Sequence, residues 1–128
     1  MSYHFSKTVD GDFDAVISRV TEALMTQGFG ILTEIDVKET LRKKLDVEFR
    51  PYRILGACNP QFAYRALQAE DKIGTMLPCN VIVQARENGR IEISAVDPVA
   101  SMQAVDNPQL ADIAQTVQAK LKSVIDAL

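Results

Sequence analysis

Two cysteines form the pattern with the most evident chemistry in this sequence. Cys58 lies where a predicted strand gives way to the helix start Asn59-Pro60, and Cys79 lies at the entry of another predicted strand. The dipole at a helix N-terminus stabilises a thiolate, which raises its reactivity and its affinity for metals. Because both cysteines sit at element ends and both are followed by asparagine, the two thiols could share one rim of a sheet.

Three interpretations of the thiols are open at this point. A two-thiolate site for a soft metal would need completion by His4, Glu34, a bound ligand or a second subunit. With one histidine and two cysteines, the chain alone cannot supply the four ligands of a structural zinc site. Alternatively, Cys58 is a nucleophile, or both thiols are small buried apolar groups, which is the commonest state of free cysteine.

Carboxylates and the single histidine offer a second, weaker pattern. Glu34 and Asp36 are two residues apart on a predicted strand and therefore share a face, as an acid and base pair would require. Asp36 is also a predicted helix cap, which leaves Glu34 without a structural assignment. His4 alternates to the face opposite Phe5, where we expect it to be exposed, and with Cys58 it is the only cysteine–histidine pairing available.

Hydrophobic periodicity predicts the elements that must position these residues. Strands are expected over residues 3–9, 29–35, 47–57, 78–85 and 90–96, the last two joined by an Asn88-Gly89 hairpin turn. A helix capped by Asp12 ends before Gly28, and shorter helices follow Asp36 and Asn59. Residues 97–106 are predicted as a loop, followed by a helix from Asn107 with an apolar stripe of Leu110, Ile113, Ala114, Val117, Leu121, Val124 and Leu128.

This order of elements predicts an α+β fold, in which helices are layered on a largely antiparallel sheet of about five strands. No linker or repeat interrupts the 128 residues, so residues 1–128 are expected to form a single domain. The 14 Lys+Arg and 17 Asp+Glu give a net charge of −3, which argues against a nucleic-acid partner. No secretory signal or membrane-spanning run is evident, so we expect a cytoplasmic protein with no membrane association.

Four segments, residues 28–37, 54–60, 77–81 and 96–98, resemble in order the family catalogued as domain of unknown function 302. The family has no established activity. The resemblance implies a curved sheet similar to the half-domain of the TATA-box-binding protein, and it implies homodimers, but this likeness of fold does not carry DNA binding. The family's motif positions correspond to Glu34, Asp36, Gly56, Cys58, Asn59, Pro60, Pro78, Cys79, Asn80, Asp97 and Pro98.

We therefore expect a non-enzymatic domain that binds a small ligand or a soft metal where the two cysteine motifs meet. The predicted ligand-binding residues are Glu34, Cys58, Asn59, Cys79 and Asn80, of which Cys58 and Cys79 would hold a metal. One alternative is an enzyme that uses Cys58 or Glu34 on a small substrate. Another is a homodimeric interaction module without a ligand. The sequence identifies no cofactor.

Overall fold

Five antiparallel strands form one sheet in the computed structural model, which describes residues 2–128. The strands are β1 (His4–Asp10), β2 (Gly30–Asp36), β3 (Tyr52–Cys58), β4 (Cys79–Ala85) and β5 (Arg90–Val96). Their order across the sheet is β1-β5-β4-β3-β2. The helices are α1 (Phe13–Thr26), α2 (Val37–Leu45), α3 (Pro60–Ala69), α4 (Pro98–Ser101) and α5 (Pro108–Asp126), with single 3₁₀ turns at Ile73–Met76 and Glu87–Gly89. The predicted α+β class and the antiparallel five-stranded sheet are confirmed.

The hydrophobic core lies between one face of the sheet and the helices α1 and α5. Odd-numbered residues of the central strands, such as Leu55, Val81 and Ile93, point into it and are at most 1% exposed. The predicted stripe of α5 is confirmed, since every member up to Val124 is buried and Leu128 packs partly against the core. Within residues 2–128, no helix combines the length and apolarity needed to cross a membrane.

Helix caps follow the predicted chemistry at most ends. Side chains of Asp12, Asp36 and Asn107 each accept a hydrogen bond from a backbone N–H in the first turn of the helix that follows. Gly28 lies just beyond α1 with φ +85°, a conformation that glycine adopts without the steric cost of a Cβ. Asn88 and Gly89 both have positive φ, as the hairpin turn between β4 and β5 requires.

Two predicted boundaries are wrong. The third strand begins at Tyr52 rather than at residue 47, because α2 ends in a left-handed residue, Asp46, and the chain then passes Pro51, which has no N–H for a strand ladder. Residues 97–106 are not wholly a loop, since they contain α4. Asp97 caps this short helix, and Pro98 occupies its first turn at no hydrogen-bond cost.

Candidate functional site

A cavity of about 300 Å³ lies between α3, α5 and the end of the sheet at which β3 finishes and β4 begins. Its wall is apolar almost throughout and contains no charged side chain and no histidine among the described residues. Large apolar side chains, including Phe29, Phe62, Ile113 and Val117, form it together with four alanines. Concave sites of this size and character are typical of small-molecule binding.

Both cysteines line this cavity. Cys79 is the first residue of β4 and pairs with Ala57, the residue directly before Cys58. Cys58 is half-buried, whereas Cys79 is only 9% exposed. Burial, with a smaller contribution from the charge of Cys58, raises the pKa of the Cys79 thiol to about 11. The structure thus brings the two predicted thiols to one wall, and Cys79 is held there as a neutral thiol at ordinary pH.

Asn59 also lines the cavity, but its side chain does not cap α3 as predicted. Its Nδ2 donates instead to the carbonyl oxygen of Gln27, at 3.2 Å, at the end of α1. Gly28 permits this approach, because a Cβ at that position would lie 3.0 Å from Nδ2 of Asn59. Asn59 therefore joins the end of α1 to the start of α3, beside the cavity.

Asn80 lies on the other face of the sheet, although it is adjacent to Cys79 in sequence. Successive strand residues point to opposite faces, so the side chain of Asn80 points away from that of Cys79. Asn80 pairs with Gly56 of β3, and it lines a separate, polar depression of about 500 Å³ together with His4 and Ser94. This depression lies on the face of the sheet that is turned away from α1 and α5. The structure does not bring Asn80 together with the two thiols.

Glu34 belongs to an ion-pair cluster away from the cavity. Its carboxylate accepts a hydrogen bond from Arg53 at 2.5 Å, and the same guanidinium lies 3.6 Å from Asp36 and 3.9 Å from Asp14. Arg53 also lies over the ring of Phe13, which joins the cluster to the start of α1. Glu34 and Asp36 share a strand face as predicted, but Arg53 occupies the space between them and they do not face the cavity.

His4 and Cys58 do not form a pair. His4 lies on β1, and the strand order places β5 and β4 between it and β3, which carries Cys58. The Nδ1 atom of His4 is 2.8 Å from the Oγ of Ser6, whose hydroxyl is 2.7 Å from that of Ser94. His4 lies on the face opposite Phe5 as predicted, but it is half-buried rather than exposed, and its hydrogen-bond chain contains two serines rather than a thiol.

No three histidine, cysteine or carboxylate side chains within residues 2–128 are placed so that they could hold a metal together. Among the histidine, cysteine and carboxylate side chains of the described residues, the two thiols are thus the ones that this wall offers to a metal.

The side of the cavity formed by α4 was not among the predicted site residues. Pro98 and Met102, at the two ends of this helix, both line the cavity. Asp97 holds the helix in place, because its Oδ1 accepts hydrogen bonds from the Val99 N–H at 3.0 Å and from the side-chain amide of Gln118 in α5, also at 3.0 Å. The Asp97-Pro98 motif was the available signal, and its cap chemistry, which also occurs at Asn107-Pro108, could have predicted a helix there.

The fold and the site together define a small α+β domain with a single antiparallel sheet and an apolar cavity whose wall contains two free thiols. Over residues 5–128 the chain matches the model of the family described as "Domain of unknown function DUF302", and it belongs to that family. The crystal structure of an uncharacterized conserved DUF302 protein from Bacillus stearothermophilus is similar to it, with a TM-score of 0.90 and 32% sequence identity over 98% of both chains. Comparison with curated proteins gives no match. The resemblance seen in the sequence motifs is confirmed.

Proposed function

We propose that this protein is a binding domain for a small, predominantly apolar molecule. The molecule would occupy the cavity between α3, α4, α5 and the end of the sheet at which β3 finishes and β4 begins. The observation that carries the proposal is the cavity itself, which is about 300 Å³ in volume and has an uncharged, largely hydrocarbon wall. Transfer of an apolar molecule from water into such a site is favoured by about 25 cal/mol for each Å² of apolar surface removed from water.

The polar groups of the wall define where an orienting contact would be made. Cys58 and Asn59 lie side by side at the start of α3, and Cys79 lies beside them on β4. A ligand with one weakly polar end would place that end there and its apolar body against Phe62 and Val117. Glu34 and Asn80 have no part in this proposal, because neither lines the cavity.

The test uses the neutral fluorescent probe N-phenyl-1-naphthylamine. The unmodified protein is expected to bind it saturably with a blue-shifted emission. Ala63 lines the cavity from the half-buried side of α3, so Ala63→Trp should fill the space and weaken binding at least tenfold. Ala119→Trp, at an exposed position of α5, serves as the matched control and should leave the affinity unchanged. Absence of saturable binding, or equal binding by both variants, would contradict the proposal.

The thiol pair supports a second candidate function, the binding of a soft metal ion such as Cu(I), which prefers thiolate ligands. The supporting observation is that Cys58 and Cys79 line one cavity. Because burial raises the pKa of Cys79 to about 11, a metal ion would have to displace the proton of that thiol in order to bind. Protein purified without chelator should then contain stoichiometric metal by elemental analysis. Cys58→Ser and Cys79→Ser should each abolish this metal content. Purified protein that contains no metal and whose thiols titrate freely would exclude this candidate.

The homodimer expected from the family resemblance stays a prediction, and the face that bears Asn80 is the surface that we propose for it. Ile35, Ile54 and Ile82 are in register across three adjacent strands on that face, and Ile35 is 47% exposed. Sedimentation of the unmodified protein should show a dimer that Ile35→Asp dissociates. A monomer at high concentration would rule it out.

A further inference from the structure

A second, smaller cavity adjoins the first one. It has a volume of about 210 Å³ and lies between α4, α5 and the chain that connects them. Six of its eight wall residues are apolar, among them Val99, Val105 and Leu110, and the other two are glutamines. Gln103 and Gln115, both exposed, mark the side on which it approaches solvent.

The two cavities have two wall residues in common, Met102 and Ala114. These residues therefore form the partition between them. Ala114 contributes only a methyl group, so the bulk of the partition is the side chain of Met102. This side chain is 9% exposed and unbranched, with three rotatable bonds, so it can change rotamer and repack where a branched side chain could not.

Hydrogen bonds hold the backbone on both sides of Met102. Asp97 accepts hydrogen bonds from Val99, from Ala100 and from Gln118, which fixes α4 against α5. The backbone N–H of Met102 donates to the Pro98 carbonyl oxygen at 3.1 Å, and the Met102 carbonyl accepts from Val105 at 3.0 Å. A change of rotamer at Met102 would thus leave these hydrogen bonds intact.

We infer that the ligand of this domain carries an unbranched aliphatic chain, and that Met102 is the residue that determines how long a chain is accepted. The inference rests on the proposed function, whose ligand it specifies further. The head of the molecule would lie near Cys58 and Asn59 in the first cavity, and the far end of a long chain would pass Met102 into the second. An unbranched methylene chain has about the cross-section of the Met102 side chain itself, so it is the shape that could take the place of that side chain, whereas a branched or fused-ring body is wider.

The experiment measures displacement of N-phenyl-1-naphthylamine by a series of unbranched primary alcohols from butanol to dodecanol. In the unmodified protein, affinity should rise about fourfold for each added methylene, and this rise should continue into the longest alcohols. Ala111 is an exposed wall residue of the second cavity and does not line the first, so Ala111→Phe should cover the second cavity with a ring. This variant should bind short alcohols within twofold of the unmodified protein and lose at least tenfold in affinity for dodecanol.

A second variant keeps the inference testable if Ala111→Phe does not fold. Met102→Ile retains an apolar partition of similar volume but restricts its rotation through the branch at Cβ, and should likewise lower the affinity for long alcohols alone. If the unmodified protein and both variants bind short and long alcohols with the same dependence on chain length, the inference is wrong and the proposed function stands. If the unmodified protein binds neither the probe nor any alcohol, both are wrong.

Discussion

The two faces of the β-sheet differ in what their side chains contact, although the same strands supply both faces. On the face packed against α1 and α5, β4 places Cys79, Val81 and Val83, all of them buried and apolar in their surroundings. On the opposite face, polar side chains are satisfied by one another, as Gln84 accepts from Arg50 Nε at 2.9 Å and donates to Glu92 at 3.1 Å. One face thus contains an apolar cavity and the other a hydrogen-bonded depression.

This difference shows how far adjacency in sequence can mislead about a site. Cys79 and Asn80 belong to one family motif, yet the alternation of side chains along a strand places them on different faces. Cys79 lines the apolar cavity and Asn80 lines the polar depression. The same holds for β3, where Leu55 enters the core and Gly56 faces Asn80. The motif therefore marks two separate requirements of the fold rather than one constellation of ligands.

The largest expected effect compares the two faces at neighbouring positions of β3. Leu55→Ala should lower the free energy of unfolding by about 2 to 5 kcal/mol, because it leaves a cavity in a core position that is 1% exposed. Ile54→Ala, on the opposite face, should cost the monomer about 1 kcal/mol, because Ile54 is half-buried within one chain and solvent can fill the space. Urea denaturation measures both, and equal losses would mean that the two faces are packed alike.

A second comparison concerns the two glycines at Gly56 and Gly30. A Cβ at Gly56 would lie 2.1 Å from Thr33 Oγ1 and 2.8 Å from Pro78 Cγ, so Gly56→Ala should cost about 3 kcal/mol through overpacking. Gly30 has no such neighbour within 4 Å, and Gly30→Ala should change stability by about 0.5 kcal/mol or less. Adding Thr33→Ala should recover part of the loss at Gly56, and no recovery would show that the contact with Pro78, not the one with Thr33, sets the requirement for glycine.

Sequence patterns predicted the parts of this fold that local physics determines. Caps such as Asp36 and Asn107 satisfy free N–H groups within their own helix, and the α5 stripe follows from a helical repeat, so both were predictable from short stretches of chain. A site beside Cys58 and Cys79 was expected, but the rest of the cavity wall was not, because it combines Phe29, Phe62, Met102 and Val117 from four separate segments. Their proximity is a property of the tertiary packing alone.

The predicted site residues also divide into those whose position follows from the local sequence and those whose role depends on tertiary contacts. The shared rim of Cys58 and Cys79 followed from their positions at strand ends, which meet in an antiparallel pair. Glu34 was assigned to the site because no structural role was evident in its own segment, but its partner Arg53 lies nineteen residues away on the adjacent strand. A role that depends on a cross-strand partner is invisible to local reasoning.

The two thiols provide a third comparison, in the dependence of stability on pH. Burial raises the pKa of Cys79 from the value of about 9 for a free thiol to about 11. Between these values the unfolded state has lost the proton and the folded state has kept it, so stability is fully present below pH 9 and is lost as the pH approaches 11. The loss should reach roughly 2 to 3 kcal/mol, at about 1.4 kcal/mol for each unit.

Chemical denaturation at a series of pH values, with Cys79→Ala as the reference, isolates this contribution from the ionisation of lysine and tyrosine. The difference between the two proteins should fall from pH 9 to pH 11. Cys58→Ala should retain most of that fall, since burial and not the neighbouring charge is the main cause of the shift. A difference that is flat across this range would show that the Cys79 thiol is as well solvated as an exposed one.

The smallest expected effect separates a cap beside the cavity from a cap elsewhere. Asp36 and Asp97 each accept a backbone hydrogen bond at 3.0 Å at the start of a helix, so Asp36→Ala and Asp97→Ala should each cost about 1 kcal/mol. Only Asp97 also holds Gln118 of α5 and thereby the α4 side of the cavity. Asp97→Ala should therefore weaken binding of N-phenyl-1-naphthylamine severalfold, while Asp36→Ala leaves it unchanged. If both variants bind the probe like the unmodified protein, α4 is held in place by its apolar contacts with α5, and the family motif at Asp97-Pro98 serves the stability of the helix rather than the shape of the cavity.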